Sequence, residues 1–87
     1  MDNTEETRYS VTPKGKEYLK VEQTWIVEYE SGNDTKFTSV TADTYISAVI
    51  KFGELKLHHL FPVFEPMGKI LSELEIIEII KQKQQGN

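Results

Sequence analysis

The segment that most constrains the fold is residues 70–80, which read ILSELEIIEII. Seven of these residues are Ile or Leu, and on a helical wheel they point in all directions, so a surface helix in a small protein could not bury them. In a strand with a β-bulge at Ile76 and Ile77, most of them share one face and the glutamates face water. Because β-branched side chains also favour extended backbone, we predict a strand.

A helix is the alternative structure for residues 70–80. Ser72 and Glu75 form the Ser-x-x-Glu pattern that caps helix N-termini. Glutamate and leucine are also good helix formers. The strand prediction and the capping pattern therefore point to different structures for the same residues.

Residues 19–29 alternate between apolar and polar side chains, with Trp25, Val27 and Tyr29 among the apolar odd positions. A period of two predicts a strand with one wet face. Residues 31–34 (SGND) supply turn residues, and residues 35–40 (TKFTSV) form a second β-prone run. The sequence therefore predicts a β-hairpin.

The next element has the spacing of an amphipathic helix. Four apolar residues follow the spacing i, i+3, i+4 and i+7: Tyr45, Ala48, Val49 and Phe52. Thr41 or Asp43 is expected to cap the helix, which should end near residue 58 because Gly53 weakens its last turns. Two prolines in residues 60–68 (LFPVFEPMG) exclude helix interior, and we predict an apolar loop there.

The predicted elements run strand, strand, helix, strand and give an α+β fold. A right-handed crossover places the third strand beside the first, so the sheet is mainly antiparallel, has the order 2-1-3 and carries the helix on one face. A short strand at residues 8–12, followed by a Pro-Lys-Gly-Lys turn, would be a fourth strand. We expect one domain over residues 8–80 and disordered tails at residues 1–7 and 81–87.

Composition limits where the protein works and what it binds. The 87 residues include no cysteine, so neither a disulfide nor a thiolate metal site can form. The sequence has no basic leader, and no apolar run approaches the roughly 20 residues that cross a bilayer. The net charge of −4 disfavours nonspecific binding to nucleic acid. We expect a soluble, cytoplasmic protein that is not secreted.

Residues 8–19 (RYSVTPKGKEYL) resemble the end of the wing and the start of the last helix in winged-helix transcription regulators. The resemblance covers twelve residues and implies a helix over residues 13–22. In that family the motif follows a three-helix unit that reads DNA, whereas only seven residues precede it here. The predicted layout as a whole resembles that of short accessory proteins of bacteria and phages, but a shared layout does not determine function.

The sequence offers no recognisable catalytic site. His58 and His59 are adjacent, so on a helix their side chains would point about 100° apart, and no cysteine or carboxylate cluster completes a metal site. A phosphate-binding loop, a GxSxG motif and a cysteine nucleophile are all missing from the sequence. We therefore expect no enzymatic activity, no cofactor and no bound metal.

A basic and aromatic N-terminal segment suggests an alternative function. Interleaved cations and aromatic rings suit single-stranded nucleic acid, and the protein would then bind it weakly or act as a transcription accessory factor. The residues concerned are Arg8, Tyr9, Lys14, Lys16, Tyr18 and Lys20. Solvated charges on a turn would explain the same pattern.

Contact with another protein is the function that the sequence favours. Apolar residues in the loop and on the outer side of the third strand could anchor a partner: Phe61, Phe64, Met67, Leu71 and Ile80. As an edge, the third strand could also pair with a second copy and form a homodimer. We expect an accessory protein or inhibitor of the kind that phages and mobile elements encode.

Overall fold

The computed structural model describes residues 8–57 and 60–85, and the expected tail at residues 1–7 lies outside these ranges. The described elements are β1 (Tyr9–Val11), β2 (Glu17–Leu19), β3 (Gln23–Ser31), β4 (Asp34–Ala42), α1 (Tyr45–Glu54), β5 (Leu60–Pro66) and α2 (Glu73–Gln85). Strands β1 and β2 form one antiparallel sheet, and the other three strands form a second one with the order β4-β3-β5. The predicted α+β class is confirmed, with two described helices instead of one.

The predicted hairpin is confirmed as β3 and β4, but β3 covers Gln23–Ser31 where we predicted residues 19–29, and Leu19 belongs to β2. Nine residue pairs run from Gln23 opposite Ala42 to Ser31 opposite Asp34. The turn between the strands begins with Gly32, whose φ of 64° lies in the left-handed region that glycine reaches without a side-chain clash. The hairpin therefore has the sequence pattern and the turn residue that its geometry requires.

The third strand of this sheet is not the one that we predicted. Strand β5 pairs antiparallel with β3 and places Phe64 opposite Val27 and Pro66 opposite Trp25. Residues 60–66, predicted to be a loop, thus occupy the position beside β3 that we assigned to residues 70–80. The prolines exclude a helix here, but an edge strand tolerates them because its outer N–H groups need no partner.

The prediction of a strand at residues 70–80 was wrong, because α2 covers most of that segment. The Ser72 N–H donates to Glu75 Oε1 (2.9 Å), and the Glu75 N–H donates to Ser72 Oγ (3.2 Å). This reciprocal capping box satisfies two backbone donors that a helix N-terminus otherwise leaves unpaired. The backbone hydrogen bond from Ser72 also lowers the pKa of Glu75.

Only part of the apolar surface of helix α2 is buried against the rest of the protein. Its half-buried residues recur at helical spacing: Ile76, Ile79, Ile80 and Lys83. None of the described α2 residues is fully buried, and Leu74 is 79% exposed. The helix thus leaves its surplus apolar residues in water. Residues 81–85, which we expected in the C-terminal tail, form its last turns, and residues 86–87 lie outside the described ranges.

Helix α1 follows the hairpin as predicted, but both of its ends differ from the prediction. Thr44, instead of Thr41 or Asp43, caps the N-terminus, where its Oγ1 accepts a hydrogen bond from the Ser47 N–H (3.2 Å). The helix ends before residue 58 because Lys56 adopts a left-handed φ of 57°, which a right-handed helix cannot contain. Two aromatic rings of α1 contact rings of β3, Tyr45 against Trp25 and Phe52 against Tyr29.

The core lies between α1 and one face of the three-stranded sheet. Trp25 is fully buried there, and its indole N–H donates to the Ala42 carbonyl (2.9 Å). Aromatic rings pack edge to face around it, with the Tyr18 ring 5.0 Å from Trp25 and the Phe64 ring 5.4 Å from Tyr45. The Tyr18 hydroxyl accepts a hydrogen bond from the Tyr45 N–H (2.9 Å), so the β1–β2 hairpin is fixed to the start of α1.

Gln23 is a buried polar residue that connects separate parts of the chain. Its Nε2 donates to the carbonyl oxygens of Leu19 (2.7 Å) and Val21 (3.2 Å), and its Oε1 accepts from the Gly68 N–H (2.8 Å). These bonds involve backbone groups at the end of β2, in the bend before β3 and after β5. They attach the segment between β5 and α2 to the start of β3.

Candidate functional site

Strand β5 contains a β-bulge at Phe61. The register shifts between Glu28 and Glu30, so Phe61 and Pro62 together lie opposite the single residue Tyr29. Phe61 adopts φ of 52° and is 76% exposed. The bulge therefore turns a large aromatic side chain outward at the edge of the sheet.

This backbone conformation is unfavourable for phenylalanine. A left-handed φ costs roughly 1–2 kcal/mol for a residue with a Cβ atom, and a following proline disfavours helical conformations at the residue before it. At 76% exposure, Phe61 recovers little of that cost through burial. Strained backbone conformations cluster at ligand clamps and binding sites, so Phe61 is the first candidate for a contact residue.

Two further apolar residues of β5 are exposed beside Phe61. Leu60 and Val63 lie opposite Glu30 and Glu28 and therefore share one face of the sheet. We call Leu60, Phe61 and Val63 the bulge surface. It combines an aromatic side chain with aliphatic neighbours at the edge of the sheet.

Exposed apolar residues also occur on regular secondary structure. Examples are Ile46 and Ile50 on α1 and Leu74 and Ile77 on α2. None of these residues has a positive φ, and single apolar side chains on a protein surface are normal. The bulge surface differs from them because its central residue combines exposure with backbone strain.

The other predicted contact residues do not lie on the bulge surface. Phe64 is only 8% exposed and belongs to the aromatic core. Leu71 is also buried. Met67 is half-buried after β5, and Ile80 is half-buried on α2. Of the five predicted residues, only Phe61 is exposed.

The predicted pairing of two copies through residues 70–80 is incompatible with the helical structure of that segment. The free edges of the three-stranded sheet belong to β4 and β5. On β5, Pro62 and Pro66 remove two backbone donors, which disfavours the addition of a further strand. On β4, the Lys51 ammonium donates to the Thr41 carbonyl (2.6 Å). The side chains of β5 are therefore better suited to recognition than its backbone.

A cavity of about 290 Å³ lies between β5, the start of α1 and the turn that joins β1 to β2. It is lined by Thr12, Pro13, Lys14, Lys16, Tyr45, Pro62, Val63, Phe64 and Glu65. Backbone hydrogen bonds hold the turn, with the Gly15 N–H donating to the Thr12 carbonyl (2.8 Å) and the Thr12 N–H to the Lys16 carbonyl (2.9 Å). Val63 belongs both to this cavity and to the bulge surface, so the two features adjoin.

Glu65 connects the turn, β5 and α2. Its Oε2 accepts a hydrogen bond from Lys16 Nζ (3.2 Å), and its Oε1 accepts one from Lys83 Nζ (2.7 Å). Partial burial acts to raise the pKa of Glu65, but the hydrogen bonds and charges of Lys83 and Lys16 outweigh that effect. The pKa therefore lies below its ordinary value of 4.5.

We expect Glu65→Gln to lower the free energy of unfolding at neutral pH by up to about 1 kcal/mol, because both ion pairs are partly exposed to solvent. A lowered folded-state pKa means that the folded protein binds fewer protons than the unfolded protein. The contribution of Glu65 is thus present above pH 4.5 and is lost as pH falls through the lowered pKa. Urea unfolding at neutral and acidic pH should show that the free energies of unfolding of the wild type and of Glu65→Gln differ at neutral pH and converge in acid. A difference that is independent of pH would contradict this account.

The residues of the nucleic-acid alternative are only partly available. Tyr18 is buried against Trp25, so its ring cannot stack on a base, and Lys16 is paired with Glu65. The remaining residues of this set are exposed: Arg8, Tyr9, Lys14 and Lys20. The segment therefore offers one exposed ring where the sequence suggested two.

Within residues 8–57 and 60–85, no group of three or more His, Cys, Asp or Glu side chains could hold a metal ion. His58 and His59, which we considered as metal ligands, lie outside those ranges. In the same part of the chain, none of the helices has the length and apolar character required to cross a membrane.

Sequence reasoning missed most of the residues that line the cavity. Thr12, Tyr45 and Glu65 were not candidates, because they meet only through pairings between distant parts of the chain. The one local indication was the predicted turn Pro13-Lys14-Gly15-Lys16, which contains the two lysines that line the cavity.

Comparisons with known proteins give no match to a protein family, a curated protein or a solved structure.

Proposed function

We propose that this protein is a noncatalytic binding protein that contacts another protein through the bulge surface. It would act in the cytoplasm as an accessory factor or inhibitor. The observation that carries the proposal is the strained, exposed conformation of Phe61, with φ of 52° and 76% exposure. A bound partner would bury the Phe61 ring, and the free energy gained by that burial would offset the cost of the left-handed backbone conformation.

The neighbouring groups support side-chain recognition of a protein. Aromatic anchors with aliphatic neighbours are typical of the residues that contribute most to protein–protein affinity. Leu60 and Val63 supply those neighbours. Because Pro62 and Pro66 remove backbone donors from the same strand, the partner would bind mainly through side chains.

The variant Phe61→Asn separates binding from stability. Asparagine tolerates left-handed φ values, so the free energy of unfolding should stay constant or rise by up to about 1 kcal/mol. Affinity for the partner should fall by about tenfold or more, because the anchoring ring is lost. Affinity capture with mass spectrometry would identify the partner, and calorimetry with the purified partner would measure Kd.

Lys56→Asn is the matched control, since Lys56 is exposed and its φ of 57° is close to that of Phe61. It should have the same effect on stability and leave the affinity for the partner unchanged. Wild-type affinity of the Phe61→Asn protein would refute the proposal. If Phe61→Asn and Lys56→Asn lose affinity equally, the loss comes from placing asparagine at a left-handed backbone position and not from removing the Phe61 ring.

Weak binding of single-stranded nucleic acid is the alternative function, with Arg8, Tyr9, Lys14 and Lys20 as the exposed residues. It is less well supported because Tyr18 is buried. A titration with single-stranded DNA and RNA at low salt tests it, since phosphate contacts weaken steeply as salt concentration rises. Absence of binding at low salt would exclude this function.

A further inference from the structure

The cavity beside the bulge surface has an apolar interior. Phe64 and Tyr45 contribute aromatic rings, and Pro13, Pro62 and Val63 contribute aliphatic surface. Its volume of about 290 Å³ is at the lower end of the range for ligand pockets. It is large enough for one aromatic or large aliphatic side chain and too small for a dinucleotide or a similar cofactor.

The lining of the cavity also carries positive charge. The charged residues of the lining are two lysines, Lys14 and Lys16, and one glutamate, Glu65. Glu65 pairs with Lys16 and also with Lys83, which does not line the cavity. Lys14 has neither an ion pair nor a hydrogen bond from its side chain to any part of the chain that the structure describes. The protein as a whole has a net charge of −4, so this local excess of cations would favour an anionic group at this place.

We infer that the cavity accepts an aromatic or large aliphatic side chain of the partner protein, and that a carboxylate next to that side chain pairs with Lys14. This inference rests on the proposed function, because the bulge surface would hold the partner beside the cavity. Pro62 and Val63 follow Phe61 directly in β5 and line the cavity, so one partner segment can reach both places. The apolar side chain would pack against Phe64 and Tyr45.

Two small probes test the chemistry of the cavity, N-acetyl-phenylalanine as its carboxylate and the uncharged N-acetyl-phenylalanine amide. Each is titrated into the full chain at low salt and followed by two-dimensional NMR of the backbone amides. Both should shift the signals of Lys14, Lys16 and Phe64, and the carboxylate should bind about two- to fivefold more tightly, as expected for one exposed ion pair. Equal affinity of the two probes, or shifts confined to other residues, would overturn the inference.

The variant Lys14→Gln should reduce the affinity of the carboxylate to that of the amide and weaken binding of the partner by a similar factor. Lys20→Gln is the matched control, because Lys20 is exposed and does not line the cavity; it should change neither affinity. If Lys14→Gln weakens the probe but not the partner, the occupant is a free small molecule and the inference is wrong.

Phe61→Asn distinguishes this inference from the proposed function. Phe61 does not line the cavity, so the variant should bind both probes as the wild type does while losing the partner. If the partner is lost but neither probe binds the wild type, the inference fails and the proposed function stands. If the probes bind but Phe61→Asn has wild-type affinity for the partner, the proposed function fails. The inference that the cavity binds a side chain of that partner then fails as well.

Discussion

Replacing Trp25 with alanine is expected to lower the free energy of unfolding by about 3–5 kcal/mol. Trp25 is fully buried, packs against Tyr18 and Tyr45, and donates its indole N–H to the Ala42 carbonyl. Small domains are stable by only about 5–15 kcal/mol, so the variant would lose a large share of its stability. Because Trp25 is the single tryptophan, urea unfolding should be followed by circular dichroism and not by tryptophan fluorescence.

Leu74→Ala provides the control for this experiment, since Leu74 is 79% exposed. Its free energy of unfolding should lie within about 0.5 kcal/mol of the wild-type value. A loss below about 1 kcal/mol for Trp25→Ala would mean that the aromatic cluster is not the core of the fold.

The variant Gln23→Leu should be destabilised by about 2–4 kcal/mol, although leucine has nearly the same size. Gln23 is fully buried and makes three hydrogen bonds to backbone groups of Leu19, Val21 and Gly68. Leucine would remove the bonds of Gln23 to the Val21 carbonyl and the Gly68 N–H, whereas the Leu19 carbonyl would keep the hydrogen bond that it accepts from the Val21 N–H. Each partly buried group that loses its partner costs about 1–3 kcal/mol. Chemical denaturation measures the change in the free energy of unfolding.

Gln82→Leu makes the same substitution on the exposed surface of α2. We expect it to change the free energy of unfolding by less than about 0.5 kcal/mol. If the two glutamine variants are equally stable, the hydrogen bonds of Gln23 do not hold the segment after β5 against β3.

Local sequence patterns were sufficient to predict the hairpin and the helix α1 that follows it, although not the two ends of that helix. The alternation through Trp25 and Val27 has the period of a strand, and Gly32 supplies the conformation that the short turn needs. The apolar spacing that includes Ala48 and Phe52 places those two residues in the core. In both elements the local pattern and the packing favour the same structure.

Residues 70–80 were predicted wrongly because we gave burial more weight than capping. A surface helix cannot bury every apolar residue of this segment, and α2 does not, since Leu74 and Ile77 remain exposed. The bonds between Ser72 and Glu75 fix the start of the helix, and single exposed apolar residues are tolerated on a surface. The capping pattern was therefore the better predictor.

Strand β5 was missed for a different reason. Pro62 and Pro66 exclude helix interior, and we predicted a loop there without weighing an edge strand, which tolerates proline. The sequence identified Phe61 as a candidate contact residue from its apolar surroundings. It could not predict the bulge, which depends on how β5 aligns with Glu28 and Glu30. It also could not predict the contact of Lys16 with Glu65, which joins distant parts of the chain.

Site-specific photo-crosslinking from position 61 tests the central claim most directly. p-Benzoyl-phenylalanine keeps the aromatic character of Phe61 and reacts with groups that touch it, and the same residue at Leu74 controls for exposure alone, since the two positions are 76% and 79% exposed. Irradiation in cells should give a crosslinked product with one other protein from position 61 and none from position 74. No product from position 61, or the same products from both positions, would contradict the proposal that the bulge surface binds a protein.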